Sequence, residues 1–195
     1  MKMLKFVPVL LVVLTGCGAV SPQRELHKLN TAPTCCQSFN EVVFQVSALG
    51  ESQQIRLERQ PVFPFEQGKS YYIALQRPEK AEFIEVVSWI NGSFIPSATL
   101  VYPVVTVLDE QKAKLTTLRP KEYWRNGLSI KPHPVSVPYY SVRFRLPDAA
   151  RYVLIHTTPD MVKEFTPYTH HAPNGKTLDV NMRFSVGGLL DAQFQ

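Results

Sequence analysis

Three groups of residues in this 195-residue chain have side chains able to do chemistry. They are the adjacent cysteines Cys35 and Cys36, the adjacent histidines His170 and His171, and the run Tyr123, Trp124, Arg125, Asn126. The cysteines could close a vicinal disulfide. Across a trans peptide their Cα atoms lie ~3.8 Å apart, below the ~4.4–6.8 Å usual for a disulfide, so such a ring would be strained and would rigidify a turn. Two small buried hydrophobes, or one cysteine paired to another chain, are the alternatives. Adjacent cysteines lack the spacing of a zinc site or a redox motif, so no metal is expected there.

Histidines 170 and 171 are neighbours, and on a strand neighbours point to opposite faces. On a loop they could share an ion, but further ligands would have to come from His27, His133 or His156 without a motif. No metal and no cofactor are expected. His156 lies in an apolar run and reads as a core or interface histidine satisfied by a neighbour. A nucleophile elbow, an H-E-x-x-H helix and a phosphate-cradling glycine loop are all missing. Gly68-Lys69-Ser70 lacks the upstream glycines of a phosphate loop. The chain is expected not to be an enzyme.

Sugar recognition needs flat aromatic faces beside planar polar side chains. Tyr123, Trp124, Arg125 and Asn126 have that chemistry within a proline-rich stretch, and Trp124 is the best candidate for an exposed ring. Tyr139-Tyr140 and Trp89 with Asn91 are second choices. The alternative for each is a place in the core.

These groups must be delivered by the elements around them, and the first element is a leader. Lys2 and Lys5 precede the apolar run at residues 6–14, far short of the ~20 residues that span a bilayer. Leu14-Thr15-Gly16-Cys17 follows it and resembles the bacterial lipobox; the alternative is an ordinary secretory signal with a chance cysteine near its end. Cleavage would make Cys17 the lipidated first residue of the mature chain, anchored by palmitate-type acyl chains. Gly18 stands where Asp would signal inner-membrane retention, which favours the outer membrane, facing the periplasm. An oxidising envelope favours pairing of the two remaining cysteines.

Removing sixteen residues from 195 leaves 179, enough for one substantial domain. With Lys2 and Lys5 gone, the formal charge falls from +5 to +3. That charge is mild and dispersed, so no nucleic acid is expected. Residues 18–33 are polar and aperiodic and read as a linker, with at most a transient helical turn at 25–29. Sixteen prolines and frequent Val, Phe and Tyr then predict strands between stiff turns. Strands are expected at 42–49, 54–59, 70–75, 83–90 and 99–108, the fourth apolar on both faces and the fifth continuous. Residues 118–138 read as a long irregular connection. Segments 140–146 and 151–157 read as a hairpin, 158–165 as a short helical turn, and 177–186 and 189–190 as the last strands. The fold expected is an all-β antiparallel β-sandwich, jelly-roll-like, over residues 35–195, after a leader at 1–16 and a lipidated tether at 17–34.

Several stretches also resemble the maltose-operon periplasmic protein family. Ala32-Pro33-Thr34-Cys35-Cys36 is similar to its Pro-x-Cys-Cys opening, and Phe65 through Gly68-Lys69-Ser70-Tyr71 to its Phe-x-x-Gly-Lys-Ser-Tyr segment. Tyr102 through Leu108-Asp109 resembles its central strand, and Arg151-Tyr152 through Thr157-Thr158 its Arg-Tyr-x-x-x-x-Thr-Thr strand. Thr169-His170-His171-Ala172 and Ser185-Val186-Gly187-Gly188-Leu189-Leu190 are similar to its closing segments. The resemblance implies a non-enzymatic periplasmic protein linked to maltose and maltodextrin uptake. Its expected partners are the membrane through Cys17, a maltodextrin or other oligosaccharide, and an outer-membrane porin. The alternative is a structural lipoprotein that organises an envelope protein complex.

Overall fold

A computed structural model describes residues 21–92, 95–120, 130–133, 136–171 and 175–195. The chain is a single all-β domain of sandwich type, with one short α-helix among the described residues, α1 (Pro22–Thr31). Among the described residues no helix is long and apolar enough to cross a membrane.

The first sheet runs β1 (Gln45–Val46), β4 (Gly68–Gln76), β11 (Tyr152–His156), β7 (Val104–Leu108), β8 (Lys114–Leu118), with β3 (Val62–Phe65) also paired to β4. The second runs β2 (Ser52–Arg56), β14 (Leu189–Phe194), β5 (Phe83–Trp89), β10 (Ser136–Arg145), β9 (Ile130–His133). A third, at one end, runs β12 (Phe165–His171), β13 (Thr177–Ser185), β6 (Thr99–Val101). Pairing is antiparallel except for β1 with β4 and β6 with β13.

Alternation explains the layers. Ile73, Leu75, Val105, Val107, Val153 and Ile155 of the first sheet meet Ile84, Val86, Phe144, Leu190 and Phe194 of the second in one buried cluster. The opposite face of the first sheet is also covered, by Cys36, Val42, Phe63 and Phe65 over Tyr72, Ala74 and Leu154. A third cluster joins Leu100, Tyr102, Tyr140, Met182 and Phe184 beneath the end sheet. The β3–β4 hairpin turns through Glu66-Gln67, and Gly68 takes φ +113°, a conformation L side chains avoid.

Several expectations are corrected. Of residues 42–49 only Gln45–Val46 is strand, and residues 57–59 of the expected strand 54–59 form a 3-10 turn. Residues 22–31, expected in a flexible tether, form α1, which seats Leu29 in the main core with no exposed surface. Full burial of a Leu is worth ~2–3 kcal/mol, enough to hold a ten-residue helix that would be marginal alone. The run 99–108 is two strands, because Pro103 lacks the N–H a ladder needs and the chain changes sheets there. Segments 140–146 and 151–157 are not a hairpin: β10 pairs with β5 and β11 lies between β4 and β7. Arg77 holds that crossing, donating to the carbonyls of Ala81 (2.6 Å), Pro147 (2.9 Å), Asp148 (3.1 Å) and Ala150 (3.0 Å). Residues 130–133 and 136–138, placed in an irregular connection, carry strand backbone. Finally, β5 is not covered on both faces: its residues alternate between fully and half buried, which puts Phe83, Glu85, Val87 and Trp89 outside.

Candidate functional site

The outer face of the second sheet is built by register. Trp89 lies opposite Tyr139, Val87 opposite both Ser141 and Asp191, and Asp191 opposite Gln54. Each belongs to the alternate set of its strand that turns away from the core. Side chains on one face of neighbouring strands stand within reach of one another, and here the reach becomes contact. The rings of Trp89 and Tyr139 are tilted against each other, centroids 5.2 Å apart. The Trp89 indole Nε1–H donates to Asp191 Oδ2 at 2.8 Å, crossing from β5 to β14. Asp191 Oδ1 is buried and accepts no hydrogen bond among the described residues.

Around this centre the polar side chains are tied down. Ser141 Oγ donates to Glu85 Oε1, and Gln195 Nε2 donates to Glu85 Oε2 at 2.7 Å. The Arg143 guanidinium lies 5.8 Å from the centre of the Phe83 ring. Among the described residues the result is a sheet face with an aromatic pair, an aspartate and a set of planar polar groups. It can offer ring area for an apolar face and fixed acceptors for hydroxyls.

The structure separates the sequence candidates. Tyr123, Trp124, Arg125 and Asn126 lie outside the described residues, as does Cys17. Of the second choices, Trp89 and Tyr139 come together, whereas Tyr140 is fully buried in the core beneath the end sheet. Asp191 carried no signal of its own in the sequence. Only the pairing of β14 with β5, set by distant residues, brings it to the indole.

The cysteine pair forms a second feature. Cys35 and Cys36 are joined, Sγ to Sγ 2.12 Å, with Cys35 exposed and Cys36 7% exposed. The Tyr72 hydroxyl lies 3.1 Å from Cys35 Sγ and 3.7 Å from Cys36 Sγ. Burial pushes the Tyr72 phenol above its usual range, so it stays a protonated donor at neutral pH. Both cysteines line a groove of 390 Å³ with Glu41, Val43, Gln60 and Tyr72. The Cys35 N–H donates to the Val62 carbonyl at 2.8 Å, fixing the pair to β3.

The histidines divide. His156 has no exposed surface; its ring stacks on Phe65, centroids 3.8 Å apart. Nδ1 lies 2.9 Å from the Thr157 carbonyl, so Nδ1 carries the proton and Nε2 accepts from the Thr106 hydroxyl at 2.9 Å. Burial pushes its pKa from 6.5 to about 4. His170 and His171 lie on β12, opposite Leu178 and Thr177. Among the described residues no group of three His, Cys, Asp or Glu side chains is placed to hold a metal ion.

No family model, no curated protein sequence and no solved structure matches the chain.

Proposed function

We propose that this chain is a non-enzymatic binding module for an oligosaccharide, displayed from the outer membrane into the periplasm by a lipidated Cys17. The observation that carries it is the Trp89–Tyr139 pair beside Asp191 on the outer face of the second sheet. A pyranose ring has one apolar face and an equatorial belt of hydroxyls. Aromatic rings take the former, and an aspartate oriented beside them by an indole N–H is the nearest acceptor for the latter. The resemblance to the maltose-operon periplasmic proteins selects maltodextrins as the first sugars to test and uptake as the setting.

Calorimetry with maltodextrins of several lengths tests the module. Binding that weakens at least about tenfold in Trp89→Ala and Tyr139→Ala supports it, on the scale of an aromatic anchor, and no heat at millimolar sugar sinks it. Incorporation of labelled palmitate, lost in Cys17→Ser, tests the anchor. A protein-partner reading draws on a different surface, where Val43 and Val46 are each 83% exposed and Leu49 49% exposed. Aliphatic side chains so close in sequence and so open suit an envelope protein such as a porin. A pull-down from envelope membranes that recovers a porin with wild type and loses it with Val43→Glu/Val46→Glu favours this second reading.

A further inference from the structure

The disulfide between Cys35 and Cys36 is asymmetric in a way that gives it a chemical direction. Cys35 is exposed and Cys36 is nearly closed off from solvent, and both line the groove of 390 Å³. Attack on a disulfide requires a thiolate to reach one sulfur, and the other sulfur must then carry the departing charge. Access selects Cys35 as the sulfur attacked. That makes Cys36 the leaving group, in surroundings that disfavour a charge unless something donates to it. Tyr72 supplies the donor: its hydroxyl lies 3.1 Å from Cys35 Sγ and 3.7 Å from Cys36 Sγ while the ring is closed, and it turns to Cys36 once that sulfur carries the charge.

We propose that Cys35–Cys36 is a directional thiol-exchange site, taking a small thiol at Cys35 and releasing Cys36 as a thiolate held by the Tyr72 hydroxyl. The thiolate attacks Cys35 Sγ, a new S–S bond forms to Cys35, and the Cys35–Cys36 bond breaks with its electron pair going to Cys36 Sγ. A second thiolate attacks the mixed disulfide at the sulfur of the first thiol and expels Cys35 as a thiolate. Two thiols are thereby oxidised to one disulfide and the protein pair is reduced by two electrons. The two protons the thiols lost end on Cys35 and Cys36. The site is independent of the sheet face assigned to oligosaccharide, on the other side of the sandwich core.

The test is brief exposure of the full-length chain, purified in detergent, to glutathione, followed by quenching with N-ethylmaleimide and peptide mass spectrometry. The expected product carries glutathione on Cys35 and maleimide on Cys36. The reverse arrangement, or an equal mixture of the two, overturns the direction. An adduct that forms only after unfolding in guanidinium overturns the site. Tyr72→Phe should slow the appearance of the mixed disulfide by about tenfold, the scale of one hydrogen bond to a charged group. A rate within about twofold of wild type, on the principle that a neutral contact is worth far less, removes Tyr72 from the step.

Discussion

Trp89 and Asp191 are 102 residues apart in the chain, yet the indole N–H meets the carboxylate at 2.8 Å on the outer face of one sheet. The bond fixes the ring and the acid together. Tyr139, opposite Trp89 on the other neighbouring strand, completes a surface drawn from β14, β5 and β10.

Removing either ring should therefore weaken binding rather than lower stability. Trp89→Ala is expected to weaken maltodextrin affinity ten- to hundredfold, about 1.4–3 kcal/mol, the scale of an aromatic anchor. Asp191→Asn, which keeps the shape and an acceptor, should cost less than Asp191→Ala. Isothermal titration of the four proteins gives the ranking, and equal affinities across the series would remove the sheet face from consideration.

His156 should make the fold sensitive to acid. Its folded pKa of about 4 lies below the unfolded value of 6.5, so the unfolded chain binds the proton more readily. Its contribution is complete above about pH 6.5 and is lost progressively as pH falls toward 4, to a total of roughly 3 kcal/mol. Urea midpoints from pH 7 to pH 4 report this loss. The fall should be shallower in His156→Gln, and parallel curves would show that another group is responsible.

Leu29 ties α1 to the body of the protein. Leu29→Ala leaves a cavity in the main cluster and should cost ~2–5 kcal/mol. Limited proteolysis should then cut within residues 22–34 well before the sandwich unfolds. Protection equal to wild type would mean that the helix is held by other contacts.

Arg77 holds the crossing from the second sheet to the first through a single guanidinium. Arg77→Lys keeps the charge but loses the planar fork that reaches four carbonyls. A loss of about 1.5–3 kcal/mol is expected in chemical denaturation. A change below about 0.5 kcal/mol, the usual size of a surface substitution, would show the clamp to be incidental.

What the sequence determined by itself is local. Alternating apolar residues, prolines and turn dipeptides act within a few positions, and they specified an all-β chain, most strand positions and the helical turn at Pro159–Lys163. Trp89 and Tyr139 were legible as residue types suited to a sugar, and His156 as a satisfied core histidine. What the tertiary structure decided is which strands pair and which face is covered. Nothing local says that β10 and β11 belong to different sheets, or that α1 seats Leu29 in the core. Nor does composition place Asp191 beside Trp89, or Cys36 inside and Cys35 outside. Register and layering come from contacts between distant residues, each too weak to leave a mark on its own neighbourhood in the chain. The residue types were written in the sequence; their meeting was decided by the packing of two sheets.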